Sequence, residues 1–179
     1  MKWLYSLKSK AVWHVLPTNV QILRKPAESR VSFTRNFRGF DTVRVVRQLF
    51  GSKTALVLSW LEVEFTYETL YMRVSNHDGH LLINPTYFTA AEFTDLYLDV
   101  IHELVHVKQF LDGKRSDSQI AYVERPLEIE AYNITVEEAR TIGMDENEII
   151  AYLSSELMSS EELNQLTGTL GIEYFDEVS

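Results

Sequence analysis

Two histidines four residues apart, His102 and His106, are the residues of this sequence best suited to chemistry. In a helix, residues four apart lie on one face, so both imidazoles can reach a single metal ion. Glu103 follows the first histidine and can hold the water molecule that such an ion activates. The segment therefore predicts a zinc hydrolase site, although the same five letters also fit two surface histidines on an ordinary helix.

The residues around this segment have the pattern of a long helix. Apolar residues recur at helical spacing, and Gly113 is a typical stop signal. Thr89 followed by Glu92 matches a capping box, so we expect a helix over about 90–111. Its apolar residues cover more than one stripe, which predicts burial on several sides. Isolated imidazoles would be costly there, whereas a shared metal ion would satisfy both rings.

A second helix is expected after Arg125, because Pro126 suits the first helical position. This helix carries two acidic residues, Glu128 and Glu130. A catalytic zinc has three protein ligands and one open position, so a glutamate from this helix would complete a His2Glu set. The same two acids also fit first-turn residues that stabilise the helix N-terminus.

With this second helix, the chain resembles the zincin metallopeptidases and, within them, the gluzincins. Their signature is HExxH followed by a helix with the third ligand in Glu-x-x-Ala, which Glu128 to Ala131 match. The resemblance implies one Zn²⁺ per chain, with Glu128 as third ligand and Glu130 as the reserve. Tyr132 stands where the family often has aspartate. Asp99 or a backbone carbonyl could instead accept the second N–H of a ligating histidine.

The residues before the first helix extend the resemblance to compact zincins of the ImmA/IrrE-like and SprT-like groups. A turn at Asp78-Gly79 feeds a short strand, which the resemblance implies as the edge strand of the substrate groove. This strand consists of Leu81, Leu82, Ile83 and Asn84. The resemblance covers about residues 62–140. It implies an α+β, zincin-like fold: a small mixed or antiparallel sheet packed on the HExxH helix and the ligand helix, with a helical C-terminal part.

The activity that the resemblance implies is a zinc metalloendopeptidase with a narrow range of protein or peptide substrates. Glu103 would be the general base. Three residues are candidates by position for a donor to the developing oxyanion: Tyr122, Arg125 and Tyr132. The alternative is a non-catalytic zincin-fold module that binds a protein partner or nucleic acid. Glu103 favours the peptidase, since a binding module has no need of that carboxylate.

Composition bounds the class of protein. A chain of 179 residues with 45% hydrophobic residues is long enough for one well-packed domain. The absence of cysteine excludes disulfides and thiolate metal sites. The N-terminus lacks the features of a signal peptide, and no apolar run is long enough to span a bilayer. We therefore expect a cytoplasmic protein without a membrane span.

Charge is distributed unevenly along the chain. Residues 1–53 hold 11 lysines and arginines but two acids, whereas residues 54–179 hold six basic and 24 acidic residues. The basic segment could dock on the acidic body of its own fold, bind nucleic acid, or bind an acidic partner protein. Its interleaved aromatic residues suit base stacking. Short strands, expected at 11–16, 20–23 and 31–34, would instead bury them.

Three segments are expected. Residues 1–53 form a basic segment of strands plus one helix packed on the core, and residues 54–142 form the zincin core. Residues 143–179 form acidic C-terminal helices and a tail. Two short helices with polar starts are expected in the last segment, at 145–157 and 160–166.

The remaining elements follow from apolar periodicity. A helix is expected at 42–50, with Asp41 as its cap. The apolar residues 55–61 are expected to continue as a strand into the alternating stretch 62–67, and 70–74 is a further strand.

Overall fold

The protein is an assembly of short strands and helices with one long helix in the middle. The computed structural model describes residues 14–115, 119–154 and 158–172. Six strands lie in this part of the chain: β1 (Gln21–Ile22), β2 (Val31–Ser32), β3 (Phe37–Arg38), β4 (Glu62–Phe65), β5 (Met72–Val74) and β6 (Leu81–Ile83). The α-helices are α1 (Phe33–Asn36), α2 (Arg44–Phe50), α3 (Thr54–Trp60), α4 (Pro85–Ala90), α5 (Phe93–Leu111), α6 (Pro126–Thr141), α7 (Glu146–Leu153) and α8 (Ser160–Thr169). The expected α+β class, with helices at the C-terminal end, is confirmed.

A small mixed sheet has the strand order β2-β4-β6-β5, and β1 pairs with β3 in a separate ribbon. Strands β4 and β6 are parallel, and the other pairs are antiparallel. The prediction that Leu81 to Asn84 form an edge strand is therefore wrong, because β6 pairs with β4 on one side and β5 on the other. All three residues of β6 are buried, as expected for a strand covered on both faces. Asn84 lies beyond β6 and caps α4 by accepting from the N–H groups of Thr86 and Tyr87.

Strand β5 forms the free edge of this sheet beside α5. The N–H of Ser75 donates to the carbonyl of His80, and the N–H of Asn84 donates to the carbonyl of Tyr71, each over 2.8 Å. Main-chain groups of successive residues point to opposite sides of a strand, so those of residues two apart point to the same side. The main-chain groups of Met72, and of Val74 two residues later, therefore point away from β6.

The turn between β5 and β6 packs on the end of α5. Gly79 has a φ of 78°, and a Cβ built there would lie 2.5 Å from the ring of Phe110. A side chain at this position would be strained and would collide with α5. The glycine thus allows β5 to lie close to the long helix.

Helix α5 carries His102 and His106 as predicted, and 11 of its 19 residues are buried. The predicted capping box is wrong. The helix follows Glu92, whose side chain forms no cap, and Thr89 belongs to the separate helix α4. The hydroxyl of Thr89 donates to the carbonyl of Pro85 instead, over 3.0 Å.

Helix α6 begins at Pro126, as predicted, and packs along α5. Ala131 is completely buried between these helices, so its small side chain allows their close approach. The hydroxyl of Tyr97 donates to Glu138 over 2.5 Å and adds a buried hydrogen bond between α5 and α6. Close packing and this hydrogen bond therefore hold α5 and α6 against each other.

The aromatic residues of the basic segment that the structure describes form part of the core. Phe33, Phe37 and Phe40 are at most 1% exposed, and their rings pack on one another. The ring of Phe40 also stacks on Tyr97 of α5, with 5.8 Å between centroids. These three rings are unavailable for base stacking. Three other aromatic residues of the segment lie outside the described residues: Trp3, Tyr5 and Trp13.

Several predicted elements near the N-terminus differ from those observed. The strand expected at 31–34 ends at Ser32, and α1 begins at the next residue, Phe33. The helix expected at 42–50 starts at Arg44, and Asp41 lies in a preceding 3₁₀ turn without a capping contact. The apolar residues 55–61 lie in α3 rather than in a strand.

The other expected strands are shorter than predicted. That at 20–23 is reduced to β1, and those at 62–67 and 70–74 are reduced to β4 and β5. A strand was also expected at 11–16. Residues 11–13 lie outside the described residues, and residues 14–16 do not form a strand.

The two C-terminal helices begin with capping boxes. Asp145 pairs with Glu148 at the start of α7, and Ser159 pairs with Glu162 at the start of α8. The end predicted for α7 includes residues 155–157, which lie outside the described residues. Within the described part of the chain, no helix has both the length and the apolar character needed to cross a membrane.

Candidate metal centre

Three potential ligands converge where α5 faces α6. The Nε2 atoms of His102 and His106 lie 3.0 Å apart. Oε2 of Glu128 lies 3.5 Å from Nε2 of His102 and 3.2 Å from Nε2 of His106. One ligand atom from each of these three residues lies within 4.8 Å of the other two. The geometry therefore offers a metal ion two imidazoles and one carboxylate.

The electrostatics of this cluster also fit a divalent cation. The two histidines hold the pKa of Glu128 well below its usual range although burial opposes this, so its carboxylate is charged. Burial lowers the pKa of His102. For His106, hydrogen bonding to Glu128 outweighs the effect of burial and raises the pKa to about 9. Two imidazoles and one carboxylate, with a further position left open, are the donor set of a catalytic zinc.

Gln109 fixes the orientation of His106, and sequence reasoning missed it. Its Oε1 lies 2.7 Å from Nδ1 of His106. Its Nε2 donates to the carbonyl of Leu127 over 2.9 Å and to Glu130 over 3.0 Å. The signal was present in the sequence, because a residue three positions after a ligating histidine lies on the same helix face.

Glu130 lies outside the cluster. Its carboxylate accepts from Lys114 over 3.0 Å and from Gln109, and its side chain is 44% exposed. Glu128 is 9% exposed and contacts both histidines. Of the two acids considered from the sequence, Glu128 is the one in position to bind a metal ion.

Glu103 lies next to the cluster and is 7% exposed. Its Oε2 has no hydrogen-bond partner among the described residues. Burial raises the pKa of Glu103 to about 7, while the charge of His106 and the N–H of Val74 on β5 oppose the shift. A carboxylate that titrates near neutral pH can accept and release a proton there.

Within the described residues, Asp99 forms no hydrogen bond with either histidine of the cluster. It accepts hydrogen bonds from the hydroxyls of Tyr87 on α4 and Tyr152 on α7, the latter over 2.8 Å. Nδ1 of His102 is buried without a partner in the described part of the chain. Asp99 is therefore not the acceptor for the second ring nitrogen of His102, although the sequence had suggested this role.

The three candidate oxyanion donors lie beside the cluster but differ in position. The ring of Tyr132 lies 4.6 Å from that of His102, between centroids. The hydroxyls of Tyr132 and Tyr122 are 3.2 Å apart, and Tyr122 is 40% exposed. Nε of Arg125 donates to the carbonyl of Ile120 over 2.9 Å. Tyr132 is the candidate whose ring packs on a ligand.

A cavity of about 910 Å³ opens in front of these side chains. It is lined by β5 and its preceding loop, by one face of α5, and by residues of α6 and α7. The residues predicted from the sequence to border the groove are not in its wall: Leu81, Leu82, Ile83 and Asn84. Strand β5 takes that position, because it is the edge next to α5.

The described lysines and arginines of the basic segment differ in whether they form ion pairs within the chain. Arg30 forms ion pairs with Asp78 at 2.8 Å, Glu64 at 3.1 Å and Glu62 at 3.5 Å. This arginine thus docks on acids of the same chain. Several exposed cations form no ion pair with any described residue: Arg35, Arg38, Arg47 and Lys53.

Comparisons of the chain with protein-family models, with curated proteins and with solved structures give no match. The chemistry of the cluster therefore rests on its own residues and on the motifs of the sequence.

Proposed function

We propose that this protein is a zinc-dependent metallopeptidase with a zincin-like fold, in which Glu103 is the general base. The observation that carries the proposal is the convergence of His102, His106 and Glu128 beside the buried carboxylate of Glu103, whose Oε2 has no hydrogen-bond partner among the described residues. The gluzincin-like spacing of these residues along the chain supports it.

The zinc ion would be held by His102, His106 and Glu128, with Gln109 orienting His106. When bound there, zinc supplies a Lewis acid that polarises a carbonyl and lowers the pKa of water to about 7. The hydrogen bond to Gln109 keeps Nε2 of His106 free to face the ion.

Glu103 moves the proton. Its free Oε2 takes a proton from the attacking water, and the same carboxyl then delivers that proton to the leaving amine. Burial raises the pKa of this carboxyl, which favours its acceptance of the proton.

Strand β5 aligns the substrate. Met72 and Val74 direct their main-chain groups away from β6, and both residues line the cavity. An extended peptide can add to such an edge through main-chain hydrogen bonds. This places the substrate beside Glu103, whose carboxylate interacts with the N–H of Val74.

Tyr132 is the proposed donor to the developing oxyanion. Burial raises its pKa to about 12, so its hydroxyl stays protonated at neutral pH and can donate. Its ring packs on His102, whereas Arg125 donates to a carbonyl of its own loop.

A direct test uses internally quenched peptides of random sequence with the full-length protein. We expect cleavage by the zinc-loaded protein, loss of cleavage with 1,10-phenanthroline, and recovery when zinc is restored. Zinc-loaded protein that cleaves none of the peptides would contradict the proposal.

A further inference from the structure

We propose that the cavity beside the metal cluster selects a lysine or arginine as the first substrate residue after the scissile bond, with Asp99 as its counter-charge. This inference rests on the proposed peptidase function and names the substrate class of the same site. It follows from the position of Asp99, the direction of β5 and the lack of an ion pair between Asp99 and any lysine or arginine of the described residues.

Asp99 is a fixed carboxylate in the wall of this cavity. The hydroxyls of Tyr87 and Tyr152 each donate to a different oxygen of the carboxylate, from helices on two sides. Within residues 14–115, 119–154 and 158–172, no lysine or arginine forms an ion pair with it. The carboxylate is therefore held in place without a cation to balance its charge.

This arrangement is costly unless a ligand supplies the missing charge. Burial raises the pKa of Asp99 to about 6, although both tyrosine hydroxyls oppose the shift. Asp95, one helical turn earlier, lines the same cavity, and burial also raises its pKa. A cationic side chain entering from the substrate would offset the desolvation of both acids.

The distance along α5 limits which substrate residue can reach Asp99. Asp99 precedes His102 by three residues, which is about 4.5 Å along the helix axis. An extended peptide advances about 3.3 Å per residue. If the scissile bond lies at the metal cluster, the side chain opposite Asp99 therefore belongs to a substrate residue next to that bond.

The direction of β5 decides on which side of the scissile bond this residue lies. The ring of Tyr71, just before β5, packs on Tyr87 with 5.2 Å between centroids, which places the start of β5 near Asp99. Val74, at the end of β5, lies beside Glu103. Antiparallel pairing is the commoner and more stable arrangement. An antiparallel peptide runs from Val74 towards Tyr71, so the residue after the scissile bond faces Asp99.

A second observation marks this cavity as a binding space. Glu103 is 7% exposed, lines the cavity, and has a carboxylate oxygen without a partner in the described residues. A buried polar atom without a partner is rare in native proteins and points to a bound molecule. The wall of this cavity thus contains Glu103, whose Oε2 has no partner among the described residues, and the carboxylate of Asp99 one helical turn away.

The test measures binding separately from turnover. The zinc-loaded full-length Glu103→Gln protein is titrated into fluorescein-labelled hexapeptide mixtures by fluorescence anisotropy. One central position is fixed as arginine, citrulline or glutamate, and the other positions are randomised among uncharged residues. Citrulline has the shape of arginine without its charge. We expect the arginine mixture to bind about tenfold or more tightly than the citrulline mixture, with the glutamate mixture weakest.

Adding Asp99→Asn should abolish this preference, whereas adding Asp41→Asn, an exposed aspartate outside the cavity, should preserve it. Equal binding of the arginine and citrulline mixtures, or a preference that survives Asp99→Asn, overturns the proposal. If Asp99→Asn fails to fold, the arginine–citrulline comparison on the Glu103→Gln protein decides alone.

Cleavage products of the wild-type protein test the assigned side and separate this inference from the peptidase proposal. Mass spectrometry should show cleavage immediately before arginine; cleavage after it overturns the assignment. Selective binding of arginine without cleavage of any mixture supports the subsite and contradicts the peptidase. Cleavage without preference for a basic residue supports the peptidase proposal and contradicts the subsite.

Discussion

The side-chain carbonyl of Gln109 accepts a hydrogen bond from Nδ1 of His106, with 2.7 Å between the two atoms. The amide nitrogen of Gln109 donates to the carbonyl of Leu127 and to Glu130, which fixes the end of the amide that faces the imidazole. Nδ1 of His106 therefore carries a proton, and Nε2 is the ring nitrogen directed towards His102 and Glu128. One buried side chain thus connects a ligand on α5 to the helix that carries the third ligand.

Replacing Gln109 should weaken metal binding without removing a ligand. Because His106 loses the acceptor that orients it, we expect Gln109→Ala to lower zinc affinity by about 10- to 100-fold. Competition with a chromophoric chelator measures the affinity. The matched control is Gln48→Ala, an exposed glutamine on α2; an affinity equal to this control would refute the role of Gln109.

Glu103→Gln should separate metal binding from catalysis. The amide has the shape of the carboxyl but cannot accept a proton, so we expect hydrolysis to fall by about 10²- to 10⁴-fold. Zinc content and the thermal unfolding midpoint should stay close to those of the wild type, because Glu103 is not a ligand. Glu137→Gln, an exposed residue of α6, is the control. Unchanged turnover in Glu103→Gln would remove Glu103 from the mechanism.

Tyr132→Phe tests the proposed oxyanion donor. Removing one such donor typically lowers kcat by about 10²- to 10³-fold, and we expect KM and zinc content to change little. The variant keeps the ring that packs on His102. Steady-state kinetics on a cleaved peptide give the two constants, with the exposed Tyr67→Phe as control. A KM effect with unchanged kcat would mean that Tyr132 only binds substrate.

The ionisation of Asp99 should make the metal-free protein less stable as pH rises. Its pKa increases from 3.8 in the unfolded chain to about 6 in the fold. The folded state therefore holds the proton more tightly, and this contribution is present below pH 4 and lost as pH rises through 6. The shift corresponds to at most about 3 kcal/mol of unfolding free energy.

Asp99→Asn removes this contribution. Relative to the wild type, we expect its unfolding free energy to improve steadily between pH 4 and pH 7, because other titrating groups cancel in the difference. Urea denaturation of both proteins at unit pH steps measures it. A difference that stays constant over this range would show that the carboxyl of Asp99 titrates normally in the fold.

The two helices that carry the candidate ligands were predictable from local signals. Spacing of apolar residues and Gly113 indicated α5, and Pro126 marked the first residue of α6. The start of α5 was misplaced, because Thr89 and Glu92 match a capping box by letters alone. Whether such letters form a cap depends on where the preceding helix, α4, ends.

Strand order was not predictable, because pairing between strands depends on the whole fold. The sequence did contain a hint: the three consecutive apolar residues of β6 suit burial on both faces, whereas the exposed Arg73 interrupts β5. The short apolar run in α3 fits a strand and a helix equally well. Only packing decides it, with Leu58 buried while Leu56 and Trp60 remain exposed.

The zinc content of the purified protein tests the central claim most directly. Elemental analysis of full-length protein prepared without added metal should find about one zinc per chain in the wild type and in Glu130→Ala. Glu128→Ala should hold zinc weakly, because it loses a ligand and leaves two imidazoles. The double variant His102→Ala, His106→Ala should hold none. Stoichiometric zinc in that double variant would contradict the proposed site.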